Sequence, residues 1–293
     1  MKKYETAKPY DPDVLEKLHT VHIEILDDFK AVCEKYQLPY FALFGTAIGA
    51  VRHKGFIPWD DDIDVGMLRA DFEKFLQIAD MELGDKYFIM SPRTDKRCTS
   101  SVVKLMKRGT QFVSAMSKNA KHEQCIFMDI FPFDNVAPTE KLQKRQLRVT
   151  TFLDRLLYLC GTPYPIIPLK GLVGEAAAAV CFLAHYALKI LHVSPQWLFK
   201  HFENASEKYN GEDTEYITGF GQPTALKKMF RKADMFPLEE VPFESTTIHL
   251  LHNNDEELRK VYGDYMQIPP PEKRINHAPE ILDFGEEEST DAI

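Results

Sequence analysis

The chain has 293 residues, 44% of them apolar and 27% charged, with a formal net charge of −8. That is length for one large core or two modest ones, in a composition ordinary for a globular protein. The acidic balance excludes a general nucleic-acid binder, since no basic excess exists to neutralise a phosphate backbone. Cys33, Cys98, Cys125, Cys160 and Cys181 are odd in number and show no Cys-x-x-Cys or Cys/His metal spacing. They read as reduced thiols. The opening MKKYETAKPYDPDV has no apolar signal core, so a cytoplasmic chain is expected.

In chain order, Asp11 caps and Pro12 opens an amphipathic helix to about Tyr36, with Val14, Leu18, Val21, Ile25 and Val32 on one stripe. A strand Tyr40–Phe44 follows, then a Gly45-Thr46 turn and a short helix Ala47–His53 ended by Gly55. Beyond an aspartate-bearing strand comes a helix Ala70–Asp80, with Phe72, Phe75, Leu76 and Ala79 inward. Further strands are expected over Lys86–Met90, Ser101–Met106, Gln111–Ser114 and Cys125–Phe131, the last ending at Pro132 with Asp134 in a turn beyond it. The alternation predicts an α/β (α+β) fold, a mixed sheet flanked by helices.

Residues 140–210 read as an added helical region, interrupted by Pro163, Pro165 and Pro168. Within it Gly171–Val193 is the most apolar stretch, with Glu175, His185 and Lys189 lying in it. It admits three readings: a buried helix, a helix lying on a lipid surface, or a membrane span. A last helix is expected over Asp255–Tyr262, and the acidic tail from about 285 is expected to be disordered. The expected division is a catalytic core 1–138, a mainly helical region 139–232, and a C-terminal segment 233–293 that completes the cleft.

The chemistry is most legible in FGTAIGAVRHKGFIPWDDDIDVGM, residues 44–67. Asp60, Asp61, Asp62 and Asp64 repel one another, and a nearby cation relieves them. In a strand, residues two apart share a face, so Asp62 and Asp64 point one way while Ile63 and Val65 point into the core. Two carboxylates roughly 7 Å apart can converge on one hard cation. Asp60 has the same parity but follows Pro58 and can still be loop; Asp61 has the wrong parity and is expected to make a turn or cap hydrogen bond. The bland alternative, a solvated acidic run, conflicts with the flanking Phe56, Ile57, Trp59, Ile63, Val65 and Met67. Asp129 is the sole charge in the apolar run CIFMDIF, and an ionised carboxylate there needs a cation or several donors. It either completes a three-acid site or pairs with a base such as Arg52 or Lys54.

This motif resembles the signature of the LicD family, the bacterial phosphorylcholine transferases related to fukutin and fukutin-related protein. MDIFPFD and YGDYMQIPPPEKR are similar to that family's later blocks, in the same order. The resemblance implies a nucleotidyltransferase-like fold with a Gly-Thr turn (Gly45, Thr46), a D-x-D strand (Asp62, Asp64) and a third acid (Asp129). It implies Mg²⁺, with Mn²⁺ as the alternative ion, on Asp62, Asp64 and Asp129. The implied reaction is transfer of phosphorylcholine from CDP-choline to a sugar hydroxyl of a lipid-linked glycan or teichoic acid precursor, with CMP leaving. Asp129 is then a ligand or the base. Gly45 and Thr46 offer donors to phosphate, and Arg52, Lys54, Lys104, Lys273 and Arg274 offer positive charge. A quaternary ammonium is held by aromatic faces, for which Phe56, Trp59, Tyr262 and Tyr265 are candidates, Trp59 best placed. Ribitol, glycerol or ethanolamine phosphate is the alternative cargo, and a non-catalytic nucleotide-binding protein the alternative class. A lipid-borne acceptor implies peripheral contact with the inner membrane face through 171–193.

Overall fold

A computed structural model describes residues 9–114, 117–165, 167, 169, 171–221 and 224–285. The expected disorder of the tail therefore lies, from residue 286 on, outside the described residues. The elements are α1 (Pro12–Tyr36), β1 (Phe41–Ala42), α2 (Phe44–His53), β2 (Asp64–Leu68), α3 (Arg69–Leu83), β3 (Tyr87–Met90), β4 (Val103–Lys107), β5 (Gln111–Ser114) and β6 (Phe127–Asn135). There follow α4 (Glu140–Gly161), α5 (Gly171–Ile190), α6 (Pro195–Ser206), β7 (Tyr216–Thr218), β8 (Phe230–Arg231), β9 (Glu239–Phe243), β10 (Thr246–Leu250), α7 (Asn254–Tyr262) and β11 (Pro279–Asp283).

The main sheet has the order β1-β2-β6-β4-β3, with β7 and β8 added beside the end of β6. β2 and β6 run parallel and the other pairings are antiparallel, so the mixed α/β sheet read from the sequence is present. Residue alternation gives the sheet two unlike faces. Ile63, Val65, Met67, Met128 and Ile130 join Leu18, Ile25 and Phe29 of α1 and Phe72 and Phe75 of α3 in the main core. Phe131 and Phe133, on the other parity, pack with Phe41, Phe230 and Leu251 in a second cluster. The carboxylates stand at the end of that second face.

Three local expectations are corrected. β6 does not end at Pro132 but runs to Asn135. Its flank opposite β2 passes from β4, which reaches Ile130, to β7, which begins at Asp134. Pro132 stands in that gap, where a missing N–H breaks no ladder bond. Asp134 accordingly lies in the strand, buried, and takes Arg69 as a two-pronged partner (Nε–Oδ1 2.9 Å, Nη2–Oδ2 2.6 Å) that ties α3 to β6. Finally, no separate Gly-Thr turn precedes α2: the helix begins at Phe44, at φ 46°, and Gly45 and Thr46 lie in its first turn.

Beyond the sheet, α4 and α6 pack on one another, with Gln146 Nε2 donating to the carbonyls of Ser206 (3.0 Å) and Asn135 (3.1 Å). α5 has no buried residue, which overturns the buried-helix reading of this stretch. β7 and β8 join the main sheet from within 139–232, and β11 pairs with β5, so strands cross both boundaries expected from sequence.

Candidate active site

The register of three neighbouring strands builds the centre. Asp64 of β2 stands level with Asp129 of β6, and Asp129 level with Lys104 of β4. Lys104 Nζ donates to Asp129 Oδ1 at 2.5 Å and lies 3.4 Å from the Phe127 ring centroid. Asp62 sits just before β2, buried. Thr46 of α2 accepts the Asp64 backbone N–H through its hydroxyl oxygen (2.9 Å), fixing the start of β2 against the N-terminus of α2. Asp60 closes on the same point. A Cβ placed on Gly45 would come 2.4 Å from Asp60 Oδ2, so a glycine is what lets that carboxylate reach the first turn of α2.

The acidic loop is clamped from behind. His19 Nε2 donates to the Asp60 carbonyl (2.9 Å) and His22 Nε2 to the Asp61 carbonyl (3.1 Å), both from α1. Burial holds the His22 imidazole down at about 4, so it is neutral, and its Nδ1 has no partner. Asp61, expected to make a turn or cap bond, is instead a fully buried anchor. It accepts from Tyr10 Oη (2.6 Å), from His277 N (2.9 Å) and Nδ1 (3.0 Å), and from Ala278 N (3.1 Å). Burial pushes this carboxyl up, but the His277 and Tyr10 hydrogen bonds outweigh it and keep it below its ordinary value. His277, 3.6 Å from Asp62 Oδ2, is raised to about 9 against the opposing effect of burial, by its bond to Asp61 and the charges of Asp62 and Asp61.

The carboxylates facing the cleft behave oppositely. Burial, then repulsion from Asp61 and Asp129, pushes Asp62 up to about 6 even with His277 nearby. Asp60 and Asp64 are raised well above the carboxylate range, by burial first and by Asp62 next. Crowded carboxylates are donor chemistry that suits a hard divalent cation. Among the described residues here, the ligand atoms that lie within 4.8 Å of one another are those of Asp61, Asp62 and His277, while Asp60 and Asp64 offer further carboxylates around Asp62. Asp129 is turned to Lys104 in this arrangement. The acids Glu73, Glu203 and Glu207 also cluster, but Arg69 and Arg93 bridge them, and they are structural.

Residues 37–152 match the family described as LicD/FKTN/FKRP, nucleotidyltransferase domain. They are a LicD-family domain. The chain is 27% identical over 270 residues to the lipopolysaccharide cholinephosphotransferase LicD of Haemophilus influenzae, covering 90% of this chain and 95% of that one. Two uncharacterized Rickettsia proteins match shorter pieces: one of Rickettsia typhi is 40% identical over 55 residues (19% of this chain, 18% of its own), and one of Rickettsia prowazekii 40% over 48 (16% and 18%). These similarities bear out the resemblance read from the motifs, and with it the transferase class.

Around this LicD centre the other expected residues are placed unevenly. Arg52 Nη1 donates to the Tyr265 carbonyl (2.5 Å) and Nε to His53 Nε2 (2.8 Å), so its guanidinium is engaged with the 265 segment. Lys54 is the left-handed C-cap of α2, and Lys273 is an exposed residue of a short 3₁₀ turn. Arg274 lies over the Trp59 ring at 4.2 Å, so two expected binding residues pair with each other. Phe56 is buried and stacked on His19 (3.9 Å), and Tyr265 is buried with its hydroxyl donated to Asp255 (2.6 Å). Tyr262 is the candidate aromatic that is 42% exposed and faces the acids, the charges of Asp64 and Asp60 helping burial to raise its phenol.

Sequence reasoning missed three residues that stand at these carboxylates. Lys228, 4.2 Å from the Phe44 ring centroid, stands close enough to Asp64 for that charge to oppose the lowering caused by burial. Tyr10 and His277 hold Asp61 from opposite ends of the chain. The signal for His277 was available: it follows three residues after Arg274, just beyond the PPPEKR motif.

Proposed function

We propose that this protein is a Mg²⁺-dependent transferase that moves phosphorylcholine from CDP-choline to a hydroxyl of a cell-surface glycan precursor. A bond forms between the acceptor oxygen and the phosphorus bearing choline, the bond from that phosphorus to CMP breaks, and CMP leaves. The acceptor is a lipopolysaccharide-type or teichoic-acid-type sugar on a lipid carrier, and the reaction takes place at the cytoplasmic face of the membrane. Support for the choline cargo comes from the Haemophilus relative, aligned over nine-tenths of this chain. The observation that carries the catalytic reading is the level placement of Asp64, Asp129 and Lys104 on three adjacent strands, with Asp62 beside them.

Asp62, Asp64 and Asp60 would hold the ion. The chemistry such an ion supplies is neutralisation of the diphosphate oxygens and of the charge that develops on departing CMP. Thr46 and the free N–H groups of the α2 first turn face the same point and orient phosphate oxygens there. Lys104 and Lys228 add positive charge on either side. Asp129, held by Lys104, is the carboxylate that takes the proton of the attacking hydroxyl.

The test is CMP release from CDP-choline, CDP-ribitol and CDP-glycerol, with Mg²⁺ or EDTA, in the presence of a glycan acceptor. Metal-dependent release from CDP-choline alone, lost in Asp62→Asn and Asp64→Asn, is expected; Mn²⁺ should substitute for Mg²⁺. Release from CDP-ribitol or CDP-glycerol in its place overturns the choline cargo and keeps the mechanism. One observation favours that second cargo. With Trp59 covered by Arg274 and with Phe56 and Tyr265 buried, Tyr262 is the one exposed aromatic candidate at the carboxylates, a thin provision for a quaternary ammonium. Binding of CDP-choline with no turnover on any acceptor would leave a nucleotide-binding protein.

A further inference from the structure

Among the described residues, α5 is the helix long and apolar enough to cross a membrane, yet none of it is buried. Leu172 is 83% exposed, Leu183 67% and Ile190 74%, and Val173 and Val180 are exposed with them. Monomeric soluble proteins rarely present a contiguous apolar surface of this extent to water. The ties that hold α5 lie toward its C-terminal end: His185 Nδ1 donates to the Leu159 carbonyl (2.6 Å), and Cys160 Sγ approaches the Val193 carbonyl (4.0 Å).

Those same ties decide how a membrane can be met. They bring the end of α4 and the start of α6 together, and α4 and α6 pack side by side through Gln146 and Ser206. The chain therefore leaves and re-enters the body at one place. A single crossing would separate those points by about 30 Å of hydrocarbon, so α5 does not span. Nor can it stand on end in the hydrocarbon. Described residues 162–165 between α4 and α5 form no helix or strand, and irregular backbone is not tolerated there. What remains is a helix lying in the interface, apolar side down.

The surface beside it selects the lipid. Helical spacing places Lys141, Arg145, Arg148, Val149 and Phe152 on one stripe of α4, all exposed. The stripe runs on to Leu159, where α5 docks, so basic and apolar surfaces are continuous. On a protein of net charge −8, an anionic surface repels the molecule unless such a local basic stripe faces it.

We infer that α5 and the basic stripe of α4 form a one-sided docking surface for an anionic phospholipid bilayer, with α5 lying in the interface and the α4 cations on the headgroups. The inference goes beyond the proposed reaction and does not rest on its cargo. It is tested by flotation of the purified full chain with vesicles of phosphatidylcholine alone and of phosphatidylcholine with phosphatidylglycerol. Strong binding is expected only with phosphatidylglycerol. Leu172→Asp with Leu183→Asp should abolish it, and Arg145→Glu with Arg148→Glu should weaken it by about tenfold or more. In both pairs CMP release with a soluble acceptor should be unchanged, which separates failure of docking from failure of the transferase reading. Equal flotation on both vesicles, no flotation, or flotation unaffected by the leucine pair overturns the inference. A dimer in sedimentation that the leucine pair dissolves would do so too, assigning the surface to a second copy of the chain.

Discussion

At Gly45 two physical preferences oppose each other. In the first turn of α2, alanine is the better helix former by about 1 kcal/mol. Its Cβ would nonetheless come 2.4 Å from Asp60 Oδ2, and the far end of the Asp60 side chain, not the backbone, must give way. Gly45→Ala is therefore expected to keep the melting temperature within about 2 °C while lowering kcat/KM by about tenfold or more, read from paired thermal and CMP-release measurements. Asp62 gives the pH counterpart. Its folded pKa of about 6 lies above the ordinary carboxylate value. The folded state thus holds that proton more tightly than the unfolded one. The stability this provides is complete below the unfolded pKa and is lost as pH rises through about 6. A cation that binds the ionised form restores it. Mg²⁺ should therefore raise the melting temperature more at a pH of about 7.5 than at about 5, and Asp62→Asn should shrink that difference, with Asp60 and Asp64 supplying the remainder. An equal Mg²⁺ effect at both pH values would show that Asp62 is not a ligand.

At the scale of elements, the strand periods told which aspartates share a face, and the parity that set Asp62 and Asp64 apart from Ile63 and Val65 is the parity that divides the two sheet faces. What parity cannot supply is strand order. Nothing local in VKLMK said that β4 would lie beside β6, so Lys104 could be read as a cation near the site but not as the partner of Asp129. Long-range returns were equally invisible. The clamp on Asp61 spans from Tyr10 to His277, and an Asp of the wrong parity looked like a turn residue because its partners are so distant in sequence. Pro132 misled for a related reason: it forbids a ladder bond only where a neighbouring strand exists to receive one. The Lys104–Asp129 pair gives a test at this scale. Both side chains are largely buried, and removing one partner leaves the other charge uncompensated beside Asp62 and Asp64. Lys104→Met should cost the metal-free protein about 3 kcal/mol, with Mg²⁺ recovering part of the loss, read from urea unfolding with EDTA and with Mg²⁺.

At the scale of the whole molecule, the most apolar segment contributes least to the core. The sequence showed its apolar character and its helical length, but a helix apolar on every side has no stripe to say which side is covered, and burial was the natural reading. The structure replaces that with a separable attachment. The main core draws on α1, α3 and the sheet, whereas α5 supplies no buried residue, and Cys160 and Val193 already meet across its base. Excising residues 163–191 and closing the gap with a short Gly/Ser linker should therefore leave a folded enzyme. Its melting temperature is expected within about 2–4 °C of the parent, a difference worth about 1 kcal/mol in a chain of this size, because α5 buries none of its own residues and its hydrogen bond to the body is made at the Leu159 end of α4. CMP release on a soluble acceptor should persist, and transfer to an acceptor presented in anionic vesicles should fall by about tenfold or more, since the membrane no longer concentrates enzyme and acceptor on one surface. Loss of cooperative unfolding in the excised protein would instead make α5 part of the fold.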